Sequence, residues 1–244
     1  MPRLFITLKA DAHVEEMNFD KHMFQSAIYS LLQQSNMSDM HKGNRFRFFT
    51  FSDFFPSGPL ERGGRKSVIV SSPSSEFIGN LFSSIESVKE IYLGNSRLSI
   101  SDLKPVNFRH SPRAFTTGSP IVLYKDNRAN LYFSLRRGDS LAFFLMRLKD
   151  NALKRYRQYT GDAGFDLPHP IFDTATFNRE VAVKVRKMGR EFIIIGSAWY
   201  KLERFIMSRR EEPFYQFVMD AGLGEKPSLG FGMLNPIRGD VRAQ

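Results

Sequence analysis

The chain has 244 residues, 42% of them hydrophobic and 24 of them Phe, with a net charge of +10. That length fits one large domain or two of roughly 100–120 residues, with ample apolar surface for a core. It contains no cysteine, which excludes a disulfide scaffold and a zinc–thiolate site. No run of about 20 apolar residues exists to span a membrane, and the N-terminus lacks the pattern of a signal peptide. A cytoplasmic protein is expected. The basic balance favours polyanionic partners, because each Lys or Arg that meets a phosphate releases a condensed counterion.

In chain order, Arg3–Lys9 alternates, with Leu4, Ile6 and Leu8 on one side, and predicts a strand. Asp20 is placed to cap a helix over Lys21–Gln34, whose residues Phe24, Ala27, Ile28, Leu31 and Leu32 share one face. Arg45–Phe55 is aromatic and β-prone. Ser57-Gly-Pro and Gly63-Gly64 mark a loop, and Lys66–Ser71 is a short strand. Ser74–Lys89 carries Phe77, Ile78, Leu81, Phe82, Ile85 and Val88 at helical spacing, and strands follow around Ile91 and over Leu98–Phe108. The order β-α-β-β-α-β is the ferredoxin-like pattern, an antiparallel sheet backed by two helices and shared with the RNA-recognition motif.

After His110-Ser-Pro-Arg the order begins again. Pro120–Tyr124 and Asn130–Leu135 read as strands around a turn at Lys125-Asp-Asn-Arg. Asp139 is expected to cap a helix over Ser140–Tyr159, with Leu141, Phe144, Leu145, Leu148 and Leu153 inward and Arg147, Lys149, Lys154, Arg155 and Arg157 on a charged outer face. Such a face is usually solvated. Thr176–Lys187 and Arg190–Ser197 predict a hairpin turning at Met188-Gly189. The segment after Trp199 suits either a helix or a strand, and Glu211–Ala221 reads as a helix. The fold class expected is α+β, two tandem ferredoxin-like domains over 1–111 and 112–244.

The C-terminal segment reads Gly222-Leu-Gly224-Glu-Lys226-Pro-Ser-Leu-Gly230-Phe-Gly232. Glycine permits positive φ and close backbone approach, so amides here can face a phosphate, with Lys226 adding charge. Leu223 and Phe231 can anchor the loop. A Walker A loop needs Gly-Lys-Ser/Thr, and the only lysine here precedes a proline. A dinucleotide fingerprint follows a first strand and opens a helix, whereas this loop follows a helix and precedes the last strand. The alternative is a purely structural connection at a helix C-terminus.

This spacing resembles the loop signature of the RAMP superfamily. The wider string Gly224-Glu-Lys-Pro-Ser-Leu-Gly-Phe-Gly-Met is similar to the C-terminus of its pre-crRNA processing endoribonucleases. The resemblance extends to the N-terminal strand–helix–strand region and the overall length, and is weak through the middle. It implies two ferredoxin-like domains side by side and an enzyme that binds CRISPR repeat RNA and cuts it without metal or cofactor. RNA supplies its own nucleophile: a base takes the 2′-hydroxyl proton, the oxygen attacks phosphorus in line, and an acid protonates the leaving 5′-oxygen. A cation stabilises the transition-state charge. The resemblance assigns these roles to His41, after the first helix, to Tyr29 within that helix, and to Arg47, which stands where the family has a lysine. Arg45 shares the strand face of Arg47 and is an RNA-binding candidate with Gly222, Gly224, Lys226, Gly230 and Gly232. His22, at the start of the first helix, is the other candidate histidine. The family also implies a homodimer and association with other CRISPR effector subunits as expected assemblies. The main alternative is a non-catalytic subunit that holds crRNA in an effector complex; a general RNA-recognition protein is another.

Overall fold

The computed structural model describes residues 2–33, 48–107, 112–187 and 190–237. Residues 2–107 form β1 (Pro2–Ala10), α1 (Lys21–Gln33), β2 (Thr50–Phe51), β3 (Arg65–Ser71), α2 (Ser75–Val88), β4 (Glu90–Leu93) and β5 (Ser96–Asn107). The sheet order is β2-β3-β1-β5-β4, with every pairing antiparallel. With β4 set aside as a hairpin partner of β5, this is the ferredoxin order, fourth strand beside first, then third, then second. The alternation read in Arg3–Lys9 places Leu4, Ile6 and Leu8 in a core with Phe24, Ile28, Phe77, Leu81 and Ile85 of the two helices. Asp20 accepts from the amides of His22 (2.7 Å) and Met23 (3.3 Å), as a cap should. Ser74 does the same for Phe77 at 3.1 Å.

The second unit comprises β6 (Ala114–Thr117), β7 (Tyr124–Asp126), β8 (Leu131–Tyr132), α3 (Leu141–Thr160), β9 (Thr174–Lys187), β10 (Arg190–Glu203), α4 (Glu212–Ala221) and β11 (Leu234–Pro236). Its sheet order β11-β6-β10-β9 repeats the fourth-first-third-second arrangement. The chain is thus α+β, with two tandem ferredoxin-like units. Between β6 and α3 the second unit inserts the small β7–β8 hairpin. Its main core sets Phe115, Trp199 and Leu202 of the sheet against Phe144, Leu148 and Tyr156 of α3 and Phe214 and Phe217 of α4.

Three local expectations are corrected, and one left open is decided. The unit's first strand is Ala114–Thr117, too short to display an alternation; the segment expected as that strand, Pro120–Tyr124, leads into the hairpin instead. Beyond Trp199 the chain stays a strand to Glu203, held by pairing to Thr174–Phe177 of β9. Asp139 does not cap α3; Ser140 does, accepting from Phe143, while Asp139 accepts from the Ser134 amide and pairs with Lys125. Arg155 is 1% exposed rather than on a solvated face. The expected turn at Met188-Gly189 lies outside the described residues.

Candidate functional site

The two units meet along a polar seam closed by the glycine loop. Arg3 of β1, itself 1% exposed, donates to the carbonyls of Met219 (2.9 Å) and Leu234 (2.6 Å) and to Asn235 Oδ1 (2.9 Å). Arg155 of α3 donates to Ala221 O (2.7 Å) and Gly222 O (2.6 Å). Both guanidiniums therefore lie against the last carbonyls of α4, the end of a helix that carries partial negative charge and unpaired acceptors. Burial lowers each from its usual range to about 10, opposed by Asp220 for Arg3 and Glu225 for Arg155; both remain cations at neutral pH. Burial pushes the Asp220 carboxyl up to about 6, opposed by a hydrogen bond from Gln216 and by Arg3.

Each of the four glycines has positive φ: +77° at Gly222, +83° at Gly224, +79° at Gly230 and +70° at Gly232. Each also lacks room for a side chain. A Cβ would stand 2.9 Å from Thr50 Cβ at Gly222, 2.5 Å from Val122 O at Gly224, 2.2 Å from the Phe51 ring at Gly230 and 1.8 Å from Leu223 O at Gly232. Leu223 and Phe231 are fully buried, as the anchoring role requires. The expected cradle of free amides is narrowed, because six of them donate inside the protein. Leu223 donates to Gly232 O, Glu225 to Val122 O, Leu229 to Lys226 O, Gly230 to Pro227 O, Gly232 to Pro120 O and Met233 to Ser119 Oγ. The rim that stays partly exposed runs from Glu225 to Leu229 and carries Lys226.

The loop docks on the first unit through α1. Lys21 Nζ donates to Gly230 O at 2.7 Å and pairs with Asp53; Gln25 Nε2 donates to Ser228 O at 2.9 Å. Thr50 Oγ1 donates to Phe231 O at 2.9 Å from β2. Lys21, Gln25 and Tyr29 are spaced i, i+4, i+8, which puts them in one row along the helix. The candidate tyrosine thus stands one turn, about 6 Å of axis, beyond the residue that grips the loop tip. Tyr29 is 9% exposed, its ring edge-on to Phe49 at 5.9 Å. His41, Arg45 and Arg47 lie outside the described residues. The chain re-enters at Phe48, packed on Tyr159 and Phe217 of the second unit. His22 belongs elsewhere: it lines a groove of about 500 Å³ between α1 and β4, with Ser26, Ser30, Glu90 and Tyr92.

Arg3, Lys21, Thr50, Phe51 and Arg155 escaped the sequence reading. Arg3 and Lys21 look like ordinary strand-end and helix-start cations, and nothing local marks the carbonyls they will meet. Among the described residues no group of three or more His, Asp or Glu is arranged to hold a metal ion, and no helix is long and apolar enough to cross a membrane.

Two ferredoxin-like units joined by a buried polar seam, with a glycine loop from the second seated on the first helix, define a tandem ferredoxin-like protein of the RAMP type. The family model for "CRISPR associated protein Cas6, C-terminal" matches residues 102–236. A CRISPR-associated endoribonuclease Cas6 2 from Methanocaldococcus jannaschii is 38% identical over 247 residues, covering 97% of this chain and 99% of the relative. A CRISPR-associated endoribonuclease Cas6 from Haloferax mediterranei is 19% identical over 96% of this chain and 93% of its own. Among solved structures, a CRISPR associated protein Cas6 superposes with a TM-score of 0.72 at 21% identity, covering 97% of this chain and 99% of that one. Another, described as an RAMP protein binding different RNA substrates, gives 0.71 at 18% identity, covering 97% and 100%. The chain belongs to the Cas6 family of CRISPR-associated endoribonucleases.

Proposed function

We propose that this endoribonuclease binds CRISPR repeat RNA in precursor transcripts and cuts it into crRNA units by a metal-independent transesterification. The reading rests on the row Lys21, Gln25, Tyr29: two of its residues hold the glycine loop and the third is the candidate proton-transfer group. In this reading Tyr29 and His41 exchange protons with the 2′-hydroxyl and the leaving 5′-oxygen. Arg47, with Arg45 two positions before it in sequence, neutralises the charge gathering on the phosphate oxygens through its fork of donors. Lys226 meets the RNA backbone at the exposed rim, and Gly222, Gly224, Gly230 and Gly232 let that rim reach α1. The functional division is into a unit over 1–111 that cuts and a unit over 112–244 that holds RNA. Products carry a 2′,3′-cyclic phosphate or its opened form and a 5′-hydroxyl.

The experiment is incubation of the purified chain with its host's repeat RNA in excess EDTA, mapping the cut and the end groups. Cleavage with chelator present, abolished by His41→Ala, is the expected result. Activity that vanishes with EDTA and returns with magnesium refutes the mechanism.

A further inference from the structure

The β7–β8 hairpin is an insertion beyond the ferredoxin order, and it lies against the glycine loop. Glu225 N donates to Val122 O at 2.7 Å, and the two residues form an isolated antiparallel bridge. That approach depends on Gly224, whose Cβ would collide with Val122 O. Tyr124 lies two residues beyond Val122 and Lys226 one residue beyond Glu225, and with Tyr132 they form a ladder of side chains. Tyr132 is buried beside Val122, Val185, Ile194 and Phe231. Tyr124 stacks on it with centroids 4.8 Å apart and planes at 21°, the two hydroxyls 3.4 Å from one another. The Lys226 ammonium stands over the Tyr124 ring, 5.2 Å from its centroid.

Lys226 also holds a backbone conformation that lysine adopts at a cost: φ 57°, ψ 36°, in the left-handed region where Gly or Asn is favoured. In a loop with glycine at its four other positive-φ positions, a side chain has been kept at this one. The adjacent carboxylate, Glu225, accepts from Asn151 of α3 at 3.2 Å. Around the hairpin, Arg128 and Arg136 are exposed. A long Lys side chain on a rim samples many rotamers, and a cation loses less on meeting a phosphate when its position is already fixed. A neutral aromatic ring attracts an ammonium to its face while leaving N–H donors to point outward.

We propose that Tyr124, braced by Tyr132, is a positioning residue for RNA: its ring fixes the Lys226 ammonium where it meets a backbone phosphate. This rests on the reading that the loop rim contacts RNA. The hairpin thereby becomes part of the RNA-binding apparatus by aiming a residue of the loop, rather than by touching a base.

The test measures equilibrium binding of repeat RNA across a salt series for Tyr124→Leu, Tyr124→Phe, Lys226→Met and the Tyr124→Leu/Lys226→Met double variant, with thermal melts to check folding. Lys226→Met is expected to weaken binding and to lower the slope of log K against log salt by about one ion. Tyr124→Leu should weaken binding by about three- to tenfold, Tyr124→Phe should recover most of that loss, and the double variant should bind no worse than Lys226→Met alone. An additive double variant, or a Tyr124→Leu protein that folds and binds as the parent does, overturns the positioning role. An unchanged Lys226→Met instead refutes the underlying reading that the rim contacts RNA. Should Tyr124→Leu fail to fold, progressively fluorinated phenylalanines at 124 keep the shape and drain the ring's negative face. Affinity falling with each fluorine supports the proposal, and a flat series refutes it.

Discussion

The glycine loop allows a test in which backbone and packing effects separate. Gly230 and Gly161 have nearly the same φ, +79° and +77°. An alanine Cβ at Gly161 meets nothing within 4 Å, whereas at Gly230 it falls 2.2 Å from Cε2 of the Phe51 ring, with two further ring atoms at 2.6 Å. Alanine at either position pays for the left-handed conformation, roughly 1–2 kcal/mol. At Gly230 it also overpacks a fully buried ring, adding about 1–3 kcal/mol. Gly161→Ala is therefore expected to lower unfolding free energy by about 1–2 kcal/mol, and Gly230→Ala by about 2–5 kcal/mol. Urea denaturation followed by circular dichroism measures both. Because the clash is with Phe51, Phe51→Leu should cost less in the Gly230→Ala background than in the parent, a coupling that a double-mutant cycle reads directly. Equal destabilisation by the two glycine substitutions, or additivity with Phe51→Leu, would refute the argument that glycine is required here by contact between the two units.

Three further outcomes follow from the same geometry. Arg155→Met strips the donors from the carbonyls of Ala221 and Gly222 and is expected to destabilise by about 2–6 kcal/mol, roughly 1–3 kcal/mol for each buried acceptor left unsatisfied; a melting temperature within a degree of the parent would contradict it. Asp220 has a folded value of about 6 against an ordinary 3.8. The folded state thus binds more protons than the unfolded one between about pH 4 and 6, and this group's contribution to stability declines as pH rises through that window. Asp220→Asn should flatten the decline and stabilise the protein at pH 7 by at most about 2–3 kcal/mol, read from urea melts across pH. For the chemistry, Tyr29→Phe should slow single-turnover cleavage by about 10²–10⁴-fold if its hydroxyl transfers a proton, with RNA affinity little altered; a rate within threefold of the parent would remove Tyr29 from the mechanism.

Periodicity alone determined the helices and most long strands, because each presents one apolar face over several turns or alternations. α2 and α4 appear within a residue or two of their expected bounds, and the Asp20 cap is where its side-chain chemistry puts it. The repeated order of strands and helices was legible for the same reason. β6 was not, since four residues carry too little pattern and its place comes from pairing with β10 and β11. Arg155 was misread because its spacing along α3 matches a solvated face, and only the arrival of α4's C-terminus makes burial favourable. The glycine loop shows the division most directly. Its composition and spacing marked it as special and pointed to a family. For Gly222, Gly224 and Gly230 the reason lies in atoms distant in sequence, since Thr50, Val122 and Phe51 leave no space for a Cβ, whereas at Gly232 the obstruction is Leu223 O of the loop itself. That the loop and Tyr29 share one face of α1 was likewise a matter of tertiary structure, because nearly 200 residues separate them along the chain and only the docking of the two units brings them within a helical turn.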